Sequence, residues 1–272
     1  MTGDGGGAPG FIQRPRPLPA PAGRAVLLLG ATGFIGGHVL QSLMKSGTPV
    51  RILTRRPTGT VSESSVQVCP GDLTDPWSLL RAAEGTAAII NAASYVGRDP
   101  QQAGLVNHSG TLNVLDAARQ LGITRTIQMS TTSVYGSGPH RGLQESEATY
   151  APESVASASR QQADEAVLEA GGVVIRPNLA YGCGDRWFIP GMVRIVNGLG
   201  LLRSQTRLSV IDAGSLGQLV ARAATSSNGL HGVFHAADPA AVSVEDLLVA
   251  LNFPVRSGPS LHASDFSAHQ IK

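Results

Sequence analysis

Residues 25–38 read Ala25-Val-Leu-Leu-Leu29 followed by Gly30-Ala-Thr32-Gly33-Phe34-Ile35-Gly36-Gly37-His38. A short apolar run bounded by glycine is the pattern of a strand buried on both faces. Beyond it, Phe34, Ile35, Val39, Leu40, Leu43 and Met44 recur at helical spacing. Gly30, Gly33 and Gly36 therefore fall between a strand and a helix. Glycines there permit a tight turn and close backbone approach, and the helix start offers unpaired N–H groups to a pyrophosphate. The stretch predicts a dinucleotide site at the head of an α/β chain.

The alternation repeats downstream. Strands are predicted at 49–54, 66–69, 87–91, 125–130 and 173–175, and helices at 77–83, 102–121 and 155–170. This is the pattern of a doubly wound parallel sheet with helices on both faces, a Rossmann-type α/β fold. After Arg176 the alternation loosens. Helices are predicted at 187–202, 215–224 and 244–251, and strands at 208–211 and 232–235. The expected organisation is a Gly/Pro-rich disordered tail (1–23), a dinucleotide-binding core (24–178) and a small C-terminal substrate lobe (179–272) with returning strand and helix elements.

Composition narrows the class. The 272 residues are 42% apolar and 15% charged, enough to bury a full core. Twenty-one basic residues face nineteen acidic ones, a balance that argues against a nucleic-acid partner. Cys69 and Cys183 exclude a disulfide framework and have no metal-ligand spacing, so no metal is expected. The N-terminal stretch lacks a signal-peptide pattern, and no apolar run approaches the roughly 20 residues of a membrane span. A soluble cytoplasmic protein with no membrane partner is expected, as a monomer or a dimer. Two counts bear on chemistry. Only Lys45 and Lys272 are lysines, and the tyrosines are Tyr95, Tyr135, Tyr150 and Tyr181.

Further motifs accompany the glycine loop: Gly71-Asp72-Leu73, Asn91-Ala92-Ala93-Ser94, Val106-Asn107 with Gly110-Thr111 and Asn113, Ser130-Thr131-Thr132-Ser133-Val134-Tyr135-Gly136, and Arg176-Pro177-Asn178 with Tyr181-Gly182. In this order and spacing they resemble the extended and atypical short-chain dehydrogenases/reductases, which include epimerase/dehydratase-like enzymes. The resemblance runs from about residue 24 to 252. It implies that Gly30, Thr32, Gly33, Phe34, Ile35 and Gly36 hold the cofactor. Asp72 and Leu73 would meet its adenine, and Ala92, Ala93, Ser94, Pro177 and Asn178 would line it. Thr131 would polarise a substrate carbonyl. The choice of cofactor is a question of charge. An acid at the end of the second strand would hold the ribose of NAD, but Leu53-Thr54-Arg55-Arg56 ends in two arginines. These can clamp a 2′-phosphate, so the expected cofactor is NADPH (NADP).

The family's chemistry uses a Tyr and a Lys four residues apart on one helix face. Here Ser159-Arg160 stands where the family has Ser-Lys, and Ala156 stands at the Tyr position. Arg160 can still hold the ribose but cannot relay a proton, and Ala156 has none to give. An NADPH-dependent ketoreductase whose proton comes from substrate or water is the expected function. Trp187, Phe188 and Met192, with Tyr95 and Ser133, are the expected substrate contacts, and they suit a flat aromatic ketone. Ketoreductases of aromatic polyketide antibiotic biosynthesis, the angucyclinone type among them, are similar. Two other readings stand beside it: a catalytically silent NADP(H)-binding sensor, and a nucleotide-sugar epimerase or dehydratase. The missing Tyr and the short C-terminal lobe count against the latter.

Overall fold

A computed structural model describes residues 25–56, 65–138, 140–199 and 207–250. The tail expected at 1–23 and the chain from 251 onward lie outside the described residues. The centre is a parallel seven-stranded sheet. In chain order its strands are β1 (Ala25–Leu29), β2 (Val50–Thr54), β3 (Val66–Pro70), β4 (Thr86–Asn91), β5 (Arg125–Met129), β6 (Val173–Pro177) and β10 (Gly232–Ala236). Their spatial order is β10-β6-β5-β4-β1-β2-β3. The chain moves outward from β1 in one direction and from β4 in the other, so the topological switch point lies between them. Open α/β sheets bind ligands at that crevice, beyond the carboxyl ends of the strands.

Period-two alternation sorts the strand side chains between two faces. Val26 and Leu28 join Ile90, Ile127 and Ile175 on one face, where α1 (Phe34–Lys45) supplies Val39 and Leu43. Leu216 and Val220 of α7 (Ala213–Thr225) complete that layer. Leu27, Leu29 and Ile89 point to the other face, against Leu79 of α2 (Pro76–Ala83) and Val114 of α4 (Gly110–Leu121). Helix α5 (Val155–Glu169) packs beside α4. Gly217 lets α7 lie close on α1, since a Cβ there would sit 2.6 Å from the His38 carbonyl oxygen.

The structure departs from the sequence pattern in two places. The single helix expected at 102–121 is a short α3 (Pro100–Ala103), a π-helical turn (Gly104–Ser109) and α4. The wider turn carries Asn107 into the interior, where its side chain bonds with three other residues. The strand expected at 208–211 breaks at Ser209. Its first half, β8 (Arg207–Leu208), pairs antiparallel with β11 (Val242–Ser243). Its second half, β9 (Val210–Asp212), pairs parallel with β7 (Leu179–Tyr181). The strand expected at 232–235 is β10, at the edge of the central sheet beside β6.

Within the expected 179–272 lobe, β10 and α7 return to the central sheet. Among the described residues, the two short sheets, α6 (Phe188–Leu199) and α8 (Val244–Ala250) close around Phe188, Met192, Leu208, Val210, Val244 and Leu248. Met192, expected to face substrate, is fully buried in that cluster and lines neither of the cavities described below. It serves packing. Met192→Ala should lower unfolding free energy by about 2–5 kcal/mol, as core truncations do, read as a lower urea midpoint with an unchanged slope.

Candidate functional site

The glycine loop is built by contact distances. Gly30 adopts φ +78°, and its carbonyl accepts the Gly33 N–H at 2.9 Å. A Cβ on Gly36 would lie 2.0 Å from the Gly30 oxygen, and one on Gly30 would lie 2.5 Å from the Ala93 nitrogen. Only glycine fits at either position. Helix α1 then begins with no side-chain cap at Gly33 and no acid in its first turn. Its N–H groups and the positive end of its dipole remain available to an anion, which suits a diphosphate. At the end of β2, Arg55 and Arg56 are exposed, and the Arg55 guanidinium lies 3.9 Å from the Asp72 carboxylate. Asp72 accepts from the backbone and hydroxyl of Thr74. Leu73 is largely buried beneath Gly110.

A cleft of about 320 Å³ opens beside this loop. Phe34, Ile35, Ala92, Ser94, Thr131, Ser133, Arg160, Pro177, Asn178, Trp187 and Phe188, all singled out from the sequence, line it together. Tyr95 does not line it; the Tyr95 hydroxyl instead accepts the Asp99 N–H. Arg160 is held in place by Ser94, whose Oγ accepts from Nε at 3.0 Å and Nη2 at 2.6 Å. Ser94 in turn donates to Asn107 Oδ1, and the Asn107 amide donates to Ser159 Oγ and to the Tyr95 carbonyl. The π-helical turn thus fixes the residue that fixes Arg160. Burial lowers the Arg160 pKa and the charge of Asp164 opposes that, but a guanidinium stays charged. This network was not read from the sequence, although Asn107 was visible as part of a motif.

The tyrosines are committed elsewhere. Arg176, almost wholly buried, donates to Asp164 Oδ2 at 2.9 Å, to the Tyr135 hydroxyl at 2.7 Å and to the Tyr150 hydroxyl. Its guanidinium also lies over both rings, at 5.1 Å and 4.8 Å from their centres. Tyr135 Oη bonds His235 Nε2 at 2.7 Å; because that oxygen accepts from Arg176, its proton points to the imidazole. Burial lowers the His235 pKa and raises that of Tyr150. Tyr181 donates to Asp238. Ala156 lines neither cavity.

A second cavity of about 400 Å³ adjoins the first. Ser137, Ser154, Ser157 and Ser209 line it with His140, His235, Glu153 and Arg207. Gly136–Gly138 form part of one wall and β8 part of another, so it joins segments far apart in sequence. Among the described residues no cluster of three His, Cys, Asp or Glu side chains could hold a metal, and no helix is long and apolar enough to cross a membrane.

Residues 26–200 match the NAD dependent epimerase/dehydratase family. The chain belongs to that family. Among curated relatives, a 2-alkyl-3-oxoalkanoate reductase of Stenotrophomonas maltophilia is 29% identical over 70% of this chain and 59% of its own. A ceramide reductase of Caulobacter vibrioides is 32% identical over 59% and 47%, respectively. A 4-hydroxy-2-methyl-3-oxo-4-farnesyl-3,4-dihydroquinoline-1-oxide ketoreductase of Stigmatella aurantiaca is 29% identical over 60% and 52%. The chain spans about half the length of these relatives. Among solved structures, the UDP-Glc/GlcNAc 4-epimerase of Campylobacter jejuni superposes with a TM-score of 0.74 at 18% identity, covering 89% of this chain and 88% of that one. At that identity the likeness is one of fold. Coverage of nearly nine tenths of an epimerase chain removes chain length as an argument against an epimerase; Ala156 remains.

Asp164 anchors the site from below and carries a pH signature. It accepts from Ser130 at 2.7 Å and pairs with Arg176, but its Oδ1 has no partner. Burial outweighs both arginines and pushes its pKa up from 3.8 to about 6. A carboxyl with a raised folded pKa stabilises the fold fully below its unfolded pKa, and that contribution is lost as pH rises through the folded value. Between pH 4 and pH 7 the wild type should lose, relative to Asp164→Asn, stability on the order of 3 kcal/mol, measured by urea unfolding at each pH. Parallel curves for the two proteins would refute the assignment.

Proposed function

We propose that the protein is an NADPH-dependent ketoreductase acting on a small-molecule ketone, with an aromatic, polyketide-like ketone the favoured class. The observation that carries this reading is the 320 Å³ cleft, which is lined together by Phe34 and Ile35 at the start of α1, Thr131, Arg160, Trp187 and Phe188. The reductase and ketoreductase relatives support it, and the fused-ring ketone in the name of the Stigmatella relative supports the aromatic class.

The residues suit a nicotinamide dinucleotide. Gly30, Thr32, Gly33 and Gly36 with the open start of α1 would take the diphosphate, and Asp72 and Leu73 the adenine side. Arg55 and Arg56, the two residues that directly follow β2, would take a 2′-phosphate. Ala92, Ala93, Ser94, Pro177 and Asn178 would flank the nicotinamide half, and Arg160 its ribose. When bound, the cofactor supplies a hydride to the carbonyl carbon. The chain's own part is to orient the ketone at the end of β5, where Thr131 and Ser133 lie, and to keep a positive charge at Arg160. With Ala156 in place of a phenol, the proton comes from the substrate or from water.

Ala156 also favours a second reading, a cofactor-binding sensor without turnover. Absorbance loss of NADPH against a panel of aromatic polyketide ketones separates the two: turnover is expected, and tight NADPH binding with no turnover on any ketone would favour the sensor. Interconversion of UDP-sugars without net cofactor consumption would favour an epimerase.

The cofactor reading has its own measurement. NADPH should bind at least tenfold more tightly than NADH by fluorescence titration. Arg55→Ala should remove most of that preference and leave NADH affinity unchanged, since Arg55 meets only the 2′ position. Equal affinity of the wild type for the two cofactors would overturn it.

A further inference from the structure

Three residues line both cavities: Ser133, Asn178 and Leu179. This junction connects the larger cavity with the cleft that holds Thr131 and Arg160. We infer that Ser133 and Asn178 together form an oxyanion-binding pair there, donating to the carbonyl oxygen in place of the missing phenol. The inference rests on the ketoreductase reading and deepens it by assigning the groups that carry the developing charge.

Hydrogen-bond directions single out Ser133. Thr131 Oγ1 caps the short 3₁₀ turn Thr132–Tyr135 by accepting the Ser133 N–H at 3.1 Å, and donates its own proton to Ser133 Oγ at 3.1 Å. Thr131 has thus spent its proton on Ser133. The Ser133 proton is left to donate outward, and accepting from Thr131 strengthens it as a donor. Asn178 lies just past the end of β6, exposed, and its amide has no partner among the described residues. It carries two N–H donors and no charge. Two neutral donors at the mouth of a largely apolar cleft suit an oxygen that is neutral in the ketone and anionic after hydride addition.

A bound reduced dinucleotide would supply the hydride to the carbonyl carbon and be oxidised in doing so; the π pair would pass to oxygen, where Ser133 Oγ–H and Asn178 Nδ2–H stabilise the alkoxide. A proton from solvent, or from a phenol of the substrate, would complete the alcohol. Ser133 and Asn178 are catalytic residues on this account, and Thr131 is a positioning residue.

The test uses the full chain loaded with NADP, with para-nitrophenol as probe, because its phenolate mimics the alkoxide and absorbs visibly. The bound probe should ionise at lower pH than in solution. Ser133→Ala should remove about half of that displacement. Asn178→Asp, of the same size but with a negative charge, should raise the midpoint above the wild type's. Thr131→Val should weaken the displacement and Thr131→Ser restore it. With any ketone that turns over, Ser133→Ala should lower kcat about 100-fold, the usual cost of one oxyanion donor, with NADPH affinity unchanged. Failure of the probe to bind or shift, or a wild-type midpoint in either the Ser133 or the Asn178 variant, overturns the inference. A shift that depends on both residues without turnover on any ketone upholds the pair and overturns the reductase reading instead.

Discussion

The approach of Gly36 to the carbonyl oxygen of Gly30 is the constraint on which the ligand-binding end depends. No side chain fits between them, and none fits between Gly30 and the backbone of Ala92–Ala93. Those contacts press the turn after β1 against the turn after β4, at the switch point of the sheet. They bring the start of α1, with its unspent N–H groups, over the crevice. Arg160 is tied to the same place because Ser94, which holds it, comes next in the chain after Ala93. One steric requirement thus sets the turn at the start of α1 and, through a few residues of backbone, the position of Arg160.

The buried Arg176 explains where the tyrosines went. One guanidinium binds a carboxylate and two phenol oxygens and stacks on both rings, so Tyr135 and Tyr150 are held as structural partners. A buried ion pair of this kind is costly to dehydrate, and it persists because nearly every lone pair and proton around it is used. The exception is Asp164 Oδ1, which is buried with no partner among the described residues.

Much of the fold was legible in the sequence because buried parallel strands and amphipathic helices differ sharply in period. Ala25–Leu29 and Phe34–Lys45 could be read almost to the residue. The π-helical turn could not, since one extra residue in a helix leaves the apolar spacing nearly intact. Nor could the break at Ser209, where two short strands find partners, β11 and β7, some thirty residues away on either side. The cleft residues were legible through motifs, which encode local backbone geometry. Met192 was misassigned because an apolar side chain beside a ligand and one inside a core look alike in sequence. The polar chamber is not legible in the sequence because its walls come from Gly136–Gly138, His140, Glu153–Ser154, Asn178–Leu179, Arg207–Ser209 and His235, and only the tertiary fold brings these together.

The placement of α7 and β10 has a consequence for how the molecule is made. Helix α1, which carries the cradle, is packed by a helix nearly 180 residues later, and the sheet gains its last strand at 232–236. Contacts of such long sequence separation form slowly and only after both partners exist. During synthesis the β1–α1 unit therefore precedes, by nearly 180 residues, the helix that covers its apolar flank, and that flank is buried only once residues 213–225 have been made.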